Sequence, residues 1–168
     1  MINMENKKKE SLFRLLHDPA AFARFEILEH YTDFVESEED IGPLQEVLTL
    51  DPDPIVRHEA AAQLLKIETK RPELTANLKQ QIQSALVKSI HEDSSVIVRH
   101  EAMEALAYIG NEDALPILQG LVNDSNSDIK CTALIARDIL LFRLKHSLKG
   151  SELCGSLMTV TNQTNKAI

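Results

Sequence analysis

The six residues Ile55-Val56-Arg57-His58-Glu59-Ala60 recur without change as Ile97-Val98-Arg99-His100-Glu101-Ala102. Each copy sets an imidazole beside a carboxylate. That pair of donor types suits iron, manganese or zinc, and two His with one carboxylate form a known non-haem iron arrangement. One chain would supply His58, His100 and one of Glu59 or Glu101. Consecutive residues on a helix diverge by roughly 100°. The His and Glu of one dipeptide therefore serve a single ion only near a helix end, or when they face different neighbours. Arg57 and Arg99 would bring positive charge close by unless they pair with acids such as Asp51 and Asp93. The alternative is structural: each Arg cross-links to an acid in the turn of a neighbouring unit, and each Glu suits the positive first turn of a helix.

The elements that must carry these residues form an internal repeat. Degenerate copies flank the two hexapeptides: Arg24-Phe25-Glu26 before them and Lys130-Cys131-Thr132 after them. The registers Arg24–Arg57, Arg57–Arg99 and Arg99–Lys130 are 33, 42 and 31 residues. Glu39-Asp40, Pro43, Leu48 and Asp51 return 73 residues later as Glu112-Asp113, Pro116, Leu121 and Asp124. The apolar residues Val56, Ala60, Leu64, Ile67 and Val98, Ala102, Leu106, Ile109 have helical spacing. These features predict an all-α chain of about four helix–turn–helix units over residues 10–146. One unit cannot bury its stripe alone, so the units stack as an α-solenoid. Second helices of adjacent units would then run parallel, roughly 8–10 Å apart, and His58 and His100 would face a common space.

The local signals divide the chain further. Residues 1–9 are expected to be a flexible N-terminus, with a first helix from Glu10 to Leu16. A second helix follows Asp18-Pro19 and reaches Phe34. The acidic run Glu36 to Asp40 opens a helix through Leu48. Asp53 is the expected N-cap of the next helix, with Pro54 in its first turn. Glu68 to Arg71 should link to a longer helix from about Pro72, with the stripe Leu74, Leu78, Ile82, Leu86 and Ile90. Ser95 stands at the next N-cap, and Gly110-Asn111 ends that helix. A short helix covers 112–122 and the last runs from about Asp128 to His146. Residues 147–168 are expected to be a flexible tail.

Composition narrows the function. Apolar residues make up 43% of the chain and charged residues 26%, as in a globular protein. The formal net charge of −8 argues against nucleic acid and anionic membranes, whose affinity comes from clustered Lys and Arg. Lys7-Lys8-Lys9 reads as a solvated flank. No apolar run reaches the ~18–20 residues of a membrane span, and there is no apolar signal core. A cytoplasmic protein is expected. Cys131 and Cys154 form no disulfide framework, and Cys131 is expected to pack inside. His17, His30, His91 and His146 fall near helix ends and read as surface or capping residues. Gly42-Pro43 and Gly155 match no phosphate loop, and no Ser-His-Asp or Cys-His spacing stands out.

The pattern Asp-x-x-x-x-Val-Arg-x-x-Ala, read here from Asp51 to Ala60, resembles the HEAT-like repeats of the phycobilin-lyase class. So does Ala114-Leu115-Pro116 leading to Ile129-Lys130. The likeness spans roughly residues 10–146 and implies the solenoid fold. Chromophore handling is a weak functional echo of it. The His-Glu dipeptides resemble those of deoxyhypusine hydroxylase. In that family four such dipeptides hold two iron ions that activate oxygen. Position by position the likeness gives His58-Glu59 and His100-Glu101. Phe25-Glu26 and Cys131-Thr132 stand where the other two would be. The resemblance thus implies half of a di-iron site, with a homodimer as the source of the other half.

Two function classes follow. The first is a binding scaffold with no cofactor, whose concave face of second helices meets another protein through Arg57, His58, Arg99, His100, Glu101 and Lys130. The alternative is an iron-dependent, oxygen-activating protein with His58, Glu59, His100 and Glu101 as ligands.

Overall fold

The computed structural model describes residues 4–35, 37–70 and 75–146. Among these residues all regular structure is helical. The helices are α1 (Met4–Leu15), α2 (Ala21–Tyr31), α3 (Gly42–Leu50), α4 (Pro54–Lys70), α5 (Ala76–Glu92), α6 (Val96–Ile109), α7 (Leu115–Leu121) and α8 (Ser127–His146). Short 3₁₀ turns precede α3 and α7 and follow α2. The second helices α2, α4, α6 and α8 pack side by side in one row, and α3, α5 and α7 each pack on the helix that follows them. The chain is an α-solenoid of HEAT-like helix pairs.

The row can close tightly because its contact positions hold small residues. Ala60, Ala61, Ala102, Ala105, Ala133 and Ala136 are all buried. Leu64, Ile67, Leu106, Ile109 and Leu140 fill the space between them, and Leu78, Ile82, Leu86 and Ile90 carry the buried face of α5. Each fully buried Leu or Ile contributes about 1.5–3 kcal/mol of transfer free energy.

The turns are built on aspartate. Asp51 Oδ1 accepts from Asp53 N, Asp93 Oδ1 from Ser95 N and Asp124 Oδ1 from Asn126 N, each at 2.8 Å. Asp53 Oδ1 then accepts from Ile55 N at 2.8 Å, the capping role expected of it. Ser95, expected as the N-cap of α6, makes no side-chain cap to it.

Some boundaries differ from expectation. Helix α1 begins at Met4, inside the stretch 1–9 expected to be flexible. Glu and Lys are good helix formers, and no Gly or Pro interrupts them. Helix α4 continues through the expected link to Lys70 for the same reason. Helix α5 starts at Ala76 rather than near Pro72, where the Thr75 hydroxyl accepts from Leu78 N at 3.3 Å. Leu74, Glu36, Cys154, Gly155 and the expected tail 147–168 lie outside the described residues. No described helix is long and apolar enough to cross a membrane.

Candidate functional site

The repeated arginines are inter-repeat rivets. Arg24 Nε and Nη2 grip Asp51 at 2.6 and 2.8 Å, and its Nη1 donates to the Asp18 carbonyl at 2.7 Å. One unit on, Arg57 Nε and Nη2 grip Asp93 at 2.7 and 2.8 Å, and Nη1 donates to the Asp51 carbonyl at 2.7 Å. Arg99 donates to the Ile90 carbonyl at 2.8 Å and reaches Asp124 at 3.4 Å. The planar fork of arginine suits this bidentate grip. Hydrogen bonding to Asp51 and Asp93 raises the pKa of Arg24 and Arg57 despite burial. Burial pushes the Asp93 carboxyl up, but the Arg57 fork and the Ser95 N–H outweigh it, and its pKa falls below the ordinary value.

Arg57 and Arg99, expected on a partner-binding face, are therefore committed to the turns of the next unit. Lys130 is exposed on the first turn of α8.

The two histidines occupy successive seams of the row. His58 Nε2 lies 3.3 Å from Glu101 Oε2, across the α4–α6 seam. His100 Nδ1 lies 2.7 Å from Thr132 Oγ1, across the α6–α8 seam. Its Nε2 sits 3.6 Å from Glu104, one turn along the same helix. In each unit, then, the imidazole meets the residue that follows the His position of the next unit. The expected single space shared by both rings is replaced by one seam for each. Glu59 takes the opposite direction. It is buried and accepts from Gln63, which bonds in turn to Thr32 at the end of α2. Lys66 lies 3.6 Å from the same carboxylate. The divergence of neighbouring side chains on a helix thus sends His58 toward the following unit and Glu59 toward the preceding one.

The hydrogen bond to Glu101 raises the pKa of His58, against the opposing effect of burial. Its side chain keeps about a third of its surface, 34%, so the pair is reachable from solvent. The donor types fit a metal such as iron. The bond between His100 Nδ1 and Thr132 would fix that ring and leave Nε2 free as a ligand, as outer partners of metal-bound histidines do. The number of donors does not suffice among the described residues of one chain. No group of three or more His, Cys, Asp or Glu is arranged to hold an ion among the described residues.

Cys131 is exposed, a correction to its expected place in the core. It lines a groove of about 450 Å³ with His100, Glu104 and the exposed Ile135. The adjacent Thr132 and Ala133 are the buried positions of that turn instead. His17, His30, His91 and His146 are exposed, as expected. Sequence reasoning missed the Thr32–Gln63–Glu59 network, which carries no repeated signature. It named Asp51 and Asp93 as partners for the arginines, and a clearer signal was present: Asp18, Asp51 and Asp93 each stand six residues before an Arg.

Comparison with known proteins supports this fold and narrows the likeness. The HEAT repeat family matches residues 83–137. A deoxyhypusine hydroxylase of Candida albicans is 35% identical over 66 residues, 39% of this chain and 21% of that protein. One of Cryptococcus neoformans is 33% identical over 99 residues, 59% of this chain and 26% of that protein. The chain therefore spans only about a fifth to a quarter of these relatives. Human deoxyhypusine hydroxylase in complex with glycerol superposes with a TM-score of 0.69 at 22% identity, over 86% of this chain and 47% of that one. At that identity the superposition speaks for the fold alone. The chain is an α-solenoid that matches the HEAT repeat family over residues 83–137 and resembles deoxyhypusine hydroxylase over part of its length.

Proposed function

We propose that the chain is a metal-binding, oxygen-activating protein of the deoxyhypusine hydroxylase type, with iron as the metal and the site completed by a second copy. The observation that carries this reading is the His58–Glu101 contact across two HEAT-like units, at 3.3 Å, in a chain similar to those hydroxylases. His58 and Glu101 are the donors one chain brings together; His100 Nε2 stands in the neighbouring seam, so the second imidazole of the set would have to be the His100 of the other copy. Two His and one carboxylate would leave open positions for oxygen. When bound, iron would supply oxygen activation.

The chain's own residues do the rest. Thr132 sets the tautomer and orientation of His100. Arg57 and Asp93 fix the α4–α6 seam and hence the spacing of His58 from Glu101. Glu59, expected as a ligand, instead supports α4 through Gln63. A second copy would raise the donor number, as symmetric assemblies do at self-complementary faces.

Metal analysis of protein purified without a His tag tests this. Iron at or near stoichiometry, lost in His58→Ala and in His100→Ala, supports it. Absence of metal in a folded, unaltered chain opposes it.

A second reading has its own support. Phe22, Ile55 and Ile97 stand two residues before Arg24, Arg57 and Arg99, and their exposures are 74%, 50% and 40%. Such a row of exposed apolar side chains suits a binding surface. A scaffold that meets another protein through this face would bind without metal, and His58→Ala with His100→Ala would leave that binding unchanged.

A further inference from the structure

A second groove lies among α5, the end of α6, α7 and the end of α8. It is a groove of about 1280 Å³, and Arg143 of α8 lines it. The 42-residue register between the second and third arginines reflects the greater length of α5, which carries this wall of the groove.

Arg143 is buried, with 8% of its surface exposed. Nη1 donates to the carbonyls of Ala107 and Gly110 at 2.8 and 3.1 Å. Those bonds cap the end of α6, where a cation is favoured by the helix dipole. They do not satisfy the group. Nε is buried without a hydrogen-bond partner, and the one acid whose charge is felt there, Glu68, is engaged by Lys79 at 3.4 Å. A buried cation with no close ion pair is costly, and burial outweighs Glu68 and lowers the Arg143 pKa. The other rivet arginines, Arg24 and Arg57, each hold an Asp, so Arg143 departs from the rule of its own fold.

We infer that this groove binds a small organic carboxylate, with its anionic group over the Arg143 guanidinium and an aliphatic body along Val87, Ile109, Ile117 and Leu144. The lining supports that division. The lining as a whole is more apolar than polar, and Lys88 adds a second cation. The acids at its edge, Glu92 and Asp113, are exposed, where solvent screens them. Gly110, also in the lining, is there for packing: a Cβ would meet the Leu106 carbonyl at 2.5 Å and Ala114 at 2.7 Å. The inference is independent of the metal reading, because no His58 or His100 contact enters it.

Octanoate is the probe, with octanol and inorganic phosphate as controls for the body and the charge. Calorimetry on the full chain should show saturable one-to-one binding of octanoate, at least tenfold tighter than either control. Arg143→Met should weaken it tenfold or more, while Arg137→Met, on the exposed face of α8, leaves it unchanged. The Arg143 Nε–H resonance of the unaltered chain should shift on titration, a readout that stands even if Arg143→Met does not fold. Absent saturable binding, an unmoved Nε–H signal, equal binding by a folded Arg143→Met, or equal binding of phosphate or octanol would overturn the inference.

Discussion

At the scale of single residues, the repeated His-Glu pair is split by helical geometry. His58 turns to Glu101 of the following unit, and Glu59 turns back to Gln63. Two predictions belong here. In metal-free protein the His58 imidazole should titrate above its ordinary value of roughly 6.5, and Glu101→Gln should bring it down; NMR titration reads both. The sign of the linked stability follows from the raised pKa. The contribution is complete below the unfolded-state value and is lost as pH rises through the folded-state value. The second concerns Cys131. With Cys154→Ser in the background, a thiol reagent should label Cys131 in the native state, and protection until denaturation would contradict its exposed position. The residue types at these positions were legible in the sequence. Which carboxylate meets which ring was not, because that depends on the phase of one helix against the next.

At the scale of elements, the solenoid is held by the Asp turns and the arginines that grip them. Asp93 serves both its own turn and the preceding unit. Asp93→Asn should therefore destabilise the chain by about 2–3 kcal/mol, the usual worth of hydrogen bonds to a charged group, measured by urea unfolding. Its lowered pKa sets the pH sign. The stabilisation is present above the ordinary carboxylate value and is lost as pH falls through the depressed one. Gly110→Ala should cost about 1–3 kcal/mol through overpacking against the Leu106 carbonyl and Ala114. The helices could be read from period and punctuation: Asp53, Pro54 and the stripe Leu78, Ile82, Leu86 and Ile90 stand as expected, whereas Ser95 makes no side-chain cap. The starts of α1 and α5 could not, because runs of good helix formers give no internal stop and a threonine cap has a weak signature.

At the scale of the whole molecule, the repeat is the legible feature. An identical hexapeptide, a 73-residue recurrence and two flanking echoes fix the number and order of units, and the HEAT match and the superposition agree. The groove at Arg143 was not legible, because an arginine late in an amphipathic helix reads as a surface residue until the fold buries it. Among the described residues no three donors are arranged to enclose an ion, and the proposal completes the site with a second copy. Light scattering of the iron-loaded protein should give twice the chain mass, and a purely monomeric iron-bound species would contradict that part of the proposal. The most direct test of the central claim is the iron content of four untagged proteins: the unaltered chain, His58→Ala, Glu101→Gln and Glu59→Gln. The account predicts iron in the unaltered chain and in Glu59→Gln, and its loss from His58→Ala and Glu101→Gln. Iron that survives loss of His58 or Glu101, or that disappears with Glu59 alone, would contradict the pairing on which the proposed site is built.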